Sequence, residues 1–308
     1  MAASARAATV VATGDSQSAA YGDRLQAMLT RLGVDASALK LASGGATSKV
    51  YAGVDVDLAT TPPRAHDFAT DAIELQANLV LFMLGTNDAL QSDDWFPQYQ
   101  TLISGAFDRL DAAGVRVVIG SNLPILPFDG YPRYAVGDER LRTLYHPWLQ
   151  AQAAQRGYVY LDNYSAIQQQ PNWQSWYSDN GLTPGYVHLY WRAPDGSRPG
   201  YDWLAERMAR GVAQAYAGDA NLDGVVDGAD YTAWADHLQQ AGKFRDGDFN
   251  CDGIIDGADY TLWADHFNSA AAGALPVPEP SSGMLGTLAA LLIAARCRAR
   301  RRQPASAC

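Results

Sequence analysis

Cysteine is scarce in this chain of 308 residues. Only Cys251, Cys297 and Cys308 occur, and two of them fall in the last dozen positions. A disulfide framework is therefore excluded, and cysteine usage does not fix the redox compartment. Long apolar runs are missing too. The longest, Gly283–Ala295, covers about 13 residues, short of the ~20 that span a bilayer comfortably. The opening MAASARAATVVAT has no basic stretch followed by an adequate apolar one, so no export signal is expected there. A basic face is absent as well. The net charge is -10, and the five terminal arginines, Arg296 to Arg302, sit beside an apolar run, so no nucleic-acid partner is expected.

What is present describes a soluble globular protein, with 48% hydrophobic and 18% charged residues. Its length suits one large core with smaller appendages. Negative charge is concentrated: Asp219 to His266 holds eleven acidic residues against Lys243 and Arg245. Through about Ala217, short apolar runs alternate with amphipathic stretches. Strands are expected at Ala8–Thr13, Leu39–Ala42, Leu79–Leu84, Val115–Gly120 and Tyr158–Leu161. Helices are expected at Tyr21–Leu32, His66–Gln76, Tyr99–Ala113, Asp138–Arg156 and Tyr201–Tyr216. This alternation implies an α/β fold, a parallel sheet covered on both faces, with ligands beyond the carboxyl ends of its strands. Three polar turns follow strand candidates directly: Gly14-Asp15-Ser16, Ser43-Gly44-Gly45 and Gly85-Thr86-Asn87-Asp88.

Acyl transfer by serine needs a nucleophile, a base within reach, and donors aimed at the developing oxyanion. Ser16 at a strand-to-helix junction is the nucleophile candidate, since helix N-termini favour negative charge. Gly45 permits a bare backbone N–H to approach a substrate. Asn87 offers a side-chain amide. His188, after the fifth strand and before the last helix, is the base candidate. Taken singly, Ser16 also reads as a helix cap, GTND as a turn and His188 as structural.

Together these residues resemble the SGNH (GDSL) hydrolases. GDSQS resembles that family's first block, SGGATS the second, GTND the third and YVHL the histidine part of the fourth; PGYDWLAERM resembles its closing helix. The resemblance covers roughly the first 215 residues. It implies a flavodoxin-like three-layer α/β/α sandwich with a five-stranded parallel sheet, hydrolysis of carboxylic esters, and a Ser/Gly/Asn oxyanion hole. The family usually places an aspartate three residues before the histidine, where this chain has Gly185. Asp179 is the replacement candidate, with Asp195 behind it; a Ser-His dyad and an inert relative are the alternatives. The preferred substrate is an O-acylated carbohydrate, with Trp173, Trp176, Tyr177, Tyr186, Tyr190 and Trp191 as stacking candidates or loop core. A lysophospholipase or thioesterase is the alternative enzyme.

Residues 218–268 hold two near copies, GDANLDGVVDGADYTAWADHL and GDFNCDGIIDGADYTLWADHF, offset by 29. Each reads D-x-N-x-D-G-x-x-D-x-x-D, which supplies the oxygen ligands that hard calcium takes, with glycine at the sharp turn. Two structural calcium ions are expected. The first would take Asp219, Asn221, Asp223, Asp227, Asp230 and the Val225 carbonyl. The second would take Asp248, Asn250, Asp252, Asp256, Asp259 and the Ile254 carbonyl. Aspartate at position 12 and the tandem copies resemble dockerin type I modules, which implies a cohesin-like partner. Gly-Ala stands in place of that family's usual hydroxyl pair, at Gly228-Ala229 and Gly257-Ala258, so the calcium fold is supported and cohesin docking is not, and another protein partner is the alternative. Trp234 and Trp263 read first as module core and second as a partner surface.

Residues 269–308 run from VPEP through the apolar stretch to the arginine cluster. That order resembles a PEP-CTERM sorting signal, which implies an exosortase-like processing enzyme, a transient inner-membrane tail and export to the surface of a Gram-negative cell. Export conflicts with the missing signal segment, and a start site placed too far downstream is the expected reason.

Overall fold

The computed structural model describes residues 7–57, 64–92, 94–177, 186–189 and 197–268. β1 (Ala8–Gly14) is buried at every position. It feeds α1 (Ser16–Leu32), which buries Tyr21, Leu25, Met28 and Leu29 at helical spacing and stops at Gly33, φ 74°, whose N–H donates to the Leu29 and Thr30 carbonyls. β2 (Ala36–Lys40) begins three residues before the expected strand. Its partner decides this: Ala36 to Lys40 pair with Ala8 to Ala12. It is an edge strand with Ser37, Leu39 and Lys40 exposed, so apolar content marks it poorly. α2 (Ser48–Tyr51) then leads into an antiparallel hairpin of β3 (Ala52–Asp57) and β4 (Arg64–Asp67), which the pattern of apolar runs does not reveal.

α3 (Phe68–Glu74) precedes β5 (Leu79–Met83), a second fully buried strand, and α4 (Thr86–Ala89) and α5 (Trp95–Ala112) follow. After β6 (Arg116–Gly120), the helix expected over Asp138–Arg156 is two helices, α6 (Arg133–Arg140) and α7 (His146–Arg156), joined by a π-helical turn at Leu141–Tyr145. β7 (Val159–Leu161), α8 (Asn163–Gln168) and α9 (Pro199–Ala215) complete this part.

The five-stranded sheet has the order β2-β1-β5-β6-β7, all parallel. Counted among sheet strands alone, this is the doubly wound order in which direction reverses between the first and third strands, here β1 and β5. Both faces are covered. Val10, Ala12, Leu79, Leu81 and Met83 pack with α1 and α9 on one side. Val11, Val80, Phe82 and Leu84 pack with Phe68, Ile103, Phe107 and Leu149 on the other. Alternate residues of one strand thus serve two cores, as the two-residue period requires. α1 and α9 are cross-linked by ion pairs, Arg24–Asp202 and Arg31–Glu206, both 2.6 Å.

The repeats carry α10 (Gly228–Asp236) and α11 (Gly257–His266). Their tryptophans are exchanged: Trp234 Nε1 donates to the Asp256 carbonyl at 2.8 Å, and Trp263 Nε1 to the Asp227 carbonyl at 2.9 Å. Each indole therefore fastens its own helix to the other loop. Leu222, Phe244, Phe249 and Cys251 bury in the same core as Leu25, Leu29 and Val212. Arg210 Nη1 donates to the Cys251 carbonyl at 2.7 Å, and Arg245 pairs with Asp35 at 3.3 Å.

Candidate active site

The sharp turn out of β1 comes from Gly14, at φ 136°, where a Cβ would collide with the Met83 carbonyl. Asp15 caps α1, its Oδ1 accepting from Gln17 N at 3.0 Å. Ser16 then stands at the first helical position, half-buried, with Oγ 2.7 Å from His188 Nε2. With the ring proton on Nδ1, Nε2 accepts the serine hydroxyl's proton, the arrangement general-base activation needs. The histidine segment is fastened at several points. Leu126 N donates to the Tyr186 carbonyl at 2.7 Å, Gln17 Nε2 to the Val187 carbonyl at 3.2 Å, and Leu189 bridges to Tyr177.

Gly45 lies in the exposed turn after β2, at φ 77°, with open space where a side chain would stand. Asn87 sits in α4 at the end of β5, and its Nδ2 donates to the Ala46 carbonyl at 2.9 Å. Beside it, Asp88 is fully buried. It accepts from Ser48 N at 2.9 and 3.1 Å and from Ser48 Oγ at 2.6 Å. Asn87 and Asp88 therefore hold the segment Ala46 to Ser48 from both ends, fixing the turn that carries Gly45.

Burial pushes the carboxyls of Asp15 and Asp88 up to about 6. For Asp15 the Gln17 N–H, the charge of His188 and Thr86 pull the other way; for Asp88, Ser48 does. Behind them Asn122 Nδ2 donates to Thr86 Oγ1 at 3.0 Å. The arrangement is consistent: Ser16, Asn87 and His188 reach solvent in part and Gly45 is exposed, while Asp15, Gln17, Thr86 and Asp88 between them are buried.

Ser16, Gly45, Asn87 and His188 thus come from segments 172 residues apart to one edge of the sheet, at the point where strand order reverses. Asp179 and Asp195, the candidate orienting acids, lie outside the described residues, as do Tyr190 and Trp191. Tyr177 is core: it is fully buried and its hydroxyl donates to the Pro124 carbonyl at 2.8 Å. Trp173 packs edge-on against Tyr177, and Trp176 packs against Trp203. Tyr186 stacks on Phe128 at 3.9 Å, and Phe128 on Tyr131 at 4.8 Å, in an aromatic cluster beside the histidine segment. Three residues with positional roles, Asp15, Gln17 and Asp88, escape the reading of the sequence although each stands inside a recognised block. His146 is buried and its imidazole is pushed down to about 4 by burial, with Asp162 and Asp138 opposing.

In the repeats, the carboxylates turn to backbone N–H groups. Asp219 accepts from Asp223 N at 3.1 Å and Gly224 N at 3.0 Å; Asp230 accepts from Ala220 N and Asp227 N, both at 2.9 Å. Asp248 accepts in the same way from Asp252 N and Gly253 N, and Asp259 from Asn250 N and Asp256 N. Asn221 and Asn250 contact Asp223 and Asp252. Among the described residues no group of three or more His, Cys, Asp or Glu side chains is arranged, as it stands, to hold a metal ion. The donor chemistry nonetheless suits calcium. Asp219, Asp230, Asp248 and Asp259 are buried carboxylates, all raised by burial, Asp219 to about 6. Among the described ion pairs, the first loop's only cation is Arg116, 4.0 Å from Asp219. The carboxylate oxygens keep further lone pairs for a hard cation.

No curated protein matches this chain in sequence. Among solved structures, a GDSL-like lipase from Bacteroides thetaiotaomicron is similar at 17% identity and TM-score 0.49, covering 67% of this chain and 88% of its own. An acetylxylan esterase from Geobacillus stearothermophilus is similar at 13% identity and TM-score 0.48, covering 67% and 94%. The periplasmic domain of a Salmonella lipopolysaccharide acetyltransferase is similar at 15% identity and TM-score 0.48, covering 68% and 85%. Residues 7–190 match the GDSL-like lipase/acylhydrolase family, and with that match over more than half its length the chain belongs to this family.

Proposed function

We propose that this acylhydrolase-family protein is a serine esterase in which Ser16 is the nucleophile, His188 the general base and acid, and Ser16 N, Gly45 N and Asn87 Nδ2 the oxyanion donors. The reading rests on one contact above all, Ser16 Oγ to His188 Nε2 at 2.7 Å. As Oγ attacks the ester carbonyl carbon, its proton passes to Nε2 and the carbonyl oxygen takes up negative charge. Collapse of this adduct breaks the bond to the alcohol, which leaves with the proton from Nε2. Water, deprotonated by the same nitrogen, then releases the acid and restores Ser16. Asp179 is the proposed orienting acid. An O-acylated carbohydrate is the proposed substrate, supported by the aromatic cluster of Phe128, Tyr131 and Tyr186 beside the histidine, with Tyr131 52% exposed.

The proposal extends to two structural calcium ions, on Asp219, Asn221, Asp223, Asp227, Asp230 and the Val225 carbonyl, and on Asp248, Asn250, Asp252, Asp256, Asp259 and the Ile254 carbonyl. Bound calcium supplies positive charge to buried carboxylates and takes no part in ester cleavage. Export is proposed from the calcium loops and from the order of residues 269–308, which lie outside the described residues. No helix among the described residues is long and apolar enough to cross a membrane. Hydrolysis of p-nitrophenyl acetate by the purified protein, compared with Ser16→Ala, tests the esterase. A large loss in the variant is expected, and equal rates overturn the reading.

A further inference from the structure

Gln17 follows the nucleophile candidate and is 1% exposed. Its carboxamide is used at both ends: Nε2 donates to the Val187 carbonyl at 3.2 Å, and Oε1 accepts from Leu123 N at 3.3 Å. The partners fix which end is which, because a carbonyl only accepts and a backbone N–H only donates. One side chain thereby joins three segments: the first turn of α1, the loop after β6, and the histidine segment. The sequence neighbours complete a ring. Ser16 precedes Gln17, His188 follows Val187, and the ring closes through the 2.7 Å contact between Ser16 Oγ and His188 Nε2. We infer that Gln17 is a positioning residue that sets the reach between the serine hydroxyl and the imidazole.

The residue type follows from this task. Leucine of similar size leaves the Val187 carbonyl and the Leu123 N–H without that partner inside the protein, a cost that segment movement relieves. Asparagine is one methylene too short to hold both. Glutamate keeps an acceptor for Leu123 but, when ionised, turns a second acceptor toward the Val187 carbonyl. When protonated it regains a donor there. A displacement of about 1 Å between reacting groups costs on the order of 100-fold in rate.

The inference rests on the esterase reading, and the experiment separates the two. Wild type, Ser16→Ala, Gln17→Leu and Gln17→Glu are assayed on p-nitrophenyl acetate across pH, with thermal midpoints measured alongside. Gln17→Leu is expected to lose roughly 10- to 100-fold in kcat with KM within about twofold. Gln17→Glu, nearly isosteric, decides the matter if the leucine variant does not fold. Its kcat relative to wild type is expected to rise as pH falls and the new carboxyl protonates. Wild type measured across the same pH range supplies the reference for that ratio. A wild-type rate no higher than Ser16→Ala overturns the esterase reading and this inference with it. An active wild type with unaltered kcat in Gln17→Leu, or a Gln17→Glu ratio flat across pH, overturns the inference alone.

Discussion

Replacing Asp88 with asparagine is expected to stabilise the protein at neutral pH while impairing it as a catalyst. Asp88 is fully buried, and its carboxyl is pushed up from 3.8 to about 6. Ionising it inside the fold therefore costs about 3 kcal/mol relative to the unfolded chain, at 1.36 kcal/mol per pH unit. Between these two values the folded state holds the proton that the unfolded state has lost. The penalty is thus absent below the lower value, builds up as pH rises between the two, and is complete above the upper one. Asparagine keeps an acceptor for Ser48 N and carries no charge. Part of the gain is offset by the weaker bond to Ser48 Oγ, which at 2.6 Å is charge-assisted in wild type. A net gain of about 1–3 kcal/mol remains, roughly 3–10 °C in midpoint for a domain of this size. Scanning fluorimetry of both proteins from pH 4 to pH 7 should show coincident midpoints at the acid end and a gap that opens as pH rises. Asp15, whose charge helps to raise the Asp88 carboxyl, is relieved of that repulsion in the variant, which widens the gap in the same direction. The looser hold on Ser48 frees the turn carrying Gly45, so kcat on p-nitrophenyl acetate is expected to fall about tenfold. A pH-independent gap, or an asparagine variant less stable at pH 7, refutes the account of Asp88.

His146 should behave in the opposite sense. Its folded value, about 4, lies below its unfolded value, so its stabilisation is complete above about 6.5 and is lost as pH falls towards 4, roughly 3 kcal/mol in all. His146→Phe keeps the edge-on contact with Tyr164 and should flatten that loss, with a higher midpoint than wild type at pH 5 and no advantage at pH 8. Calcium should raise the unfolding midpoint and chelator should lower it, by about 2.7 kcal/mol per site at 100-fold excess over Kd. Fluorescence of Trp234 and Trp263 should report binding, because both indoles bond to loop carbonyls of proposed ligand residues. Asp230→Ala should weaken the first site, and a midpoint unmoved by calcium in wild type would remove the metal from the account.

Much of the framework is legible in the sequence, where local chemistry is unambiguous. β5 is apolar at every position and β1 is buried throughout because both faces are covered, and the polar turns after them point to a candidate site at the strands' carboxyl ends. Edge elements are harder. β2 exposes three of its five residues, and the β3–β4 hairpin carries Val54 and Val56 at 62% and 47% exposure, so neither shows a clean apolar signature. The π-helical turn at Leu141–Tyr145 leaves no mark on a helical pattern that continues through it. Within the candidate site, residue types point to Ser16, Gly45, Asn87 and His188, but the hydrogen bonds of Gln17 and Asp88 are not legible in the sequence. Their tasks depend on partners 170 and 40 residues away, which spacing within a motif does not encode. The tryptophans of the repeats show the same limit: helical spacing suggests core, and only the fold shows each indole reaching the opposite loop.

The central claim is that Ser16 is activated for covalent chemistry. A fluorophosphonate tests it directly, because attack by Oγ forms a phosphorus–oxygen bond and releases fluoride without any need for the natural substrate. Mass spectrometry of the treated protein should show a single adduct on the peptide containing Ser16. Ser16→Ala should stay unlabelled and His188→Ala should label far more slowly. No adduct on wild type, or an adduct that persists in Ser16→Ala, would contradict the account.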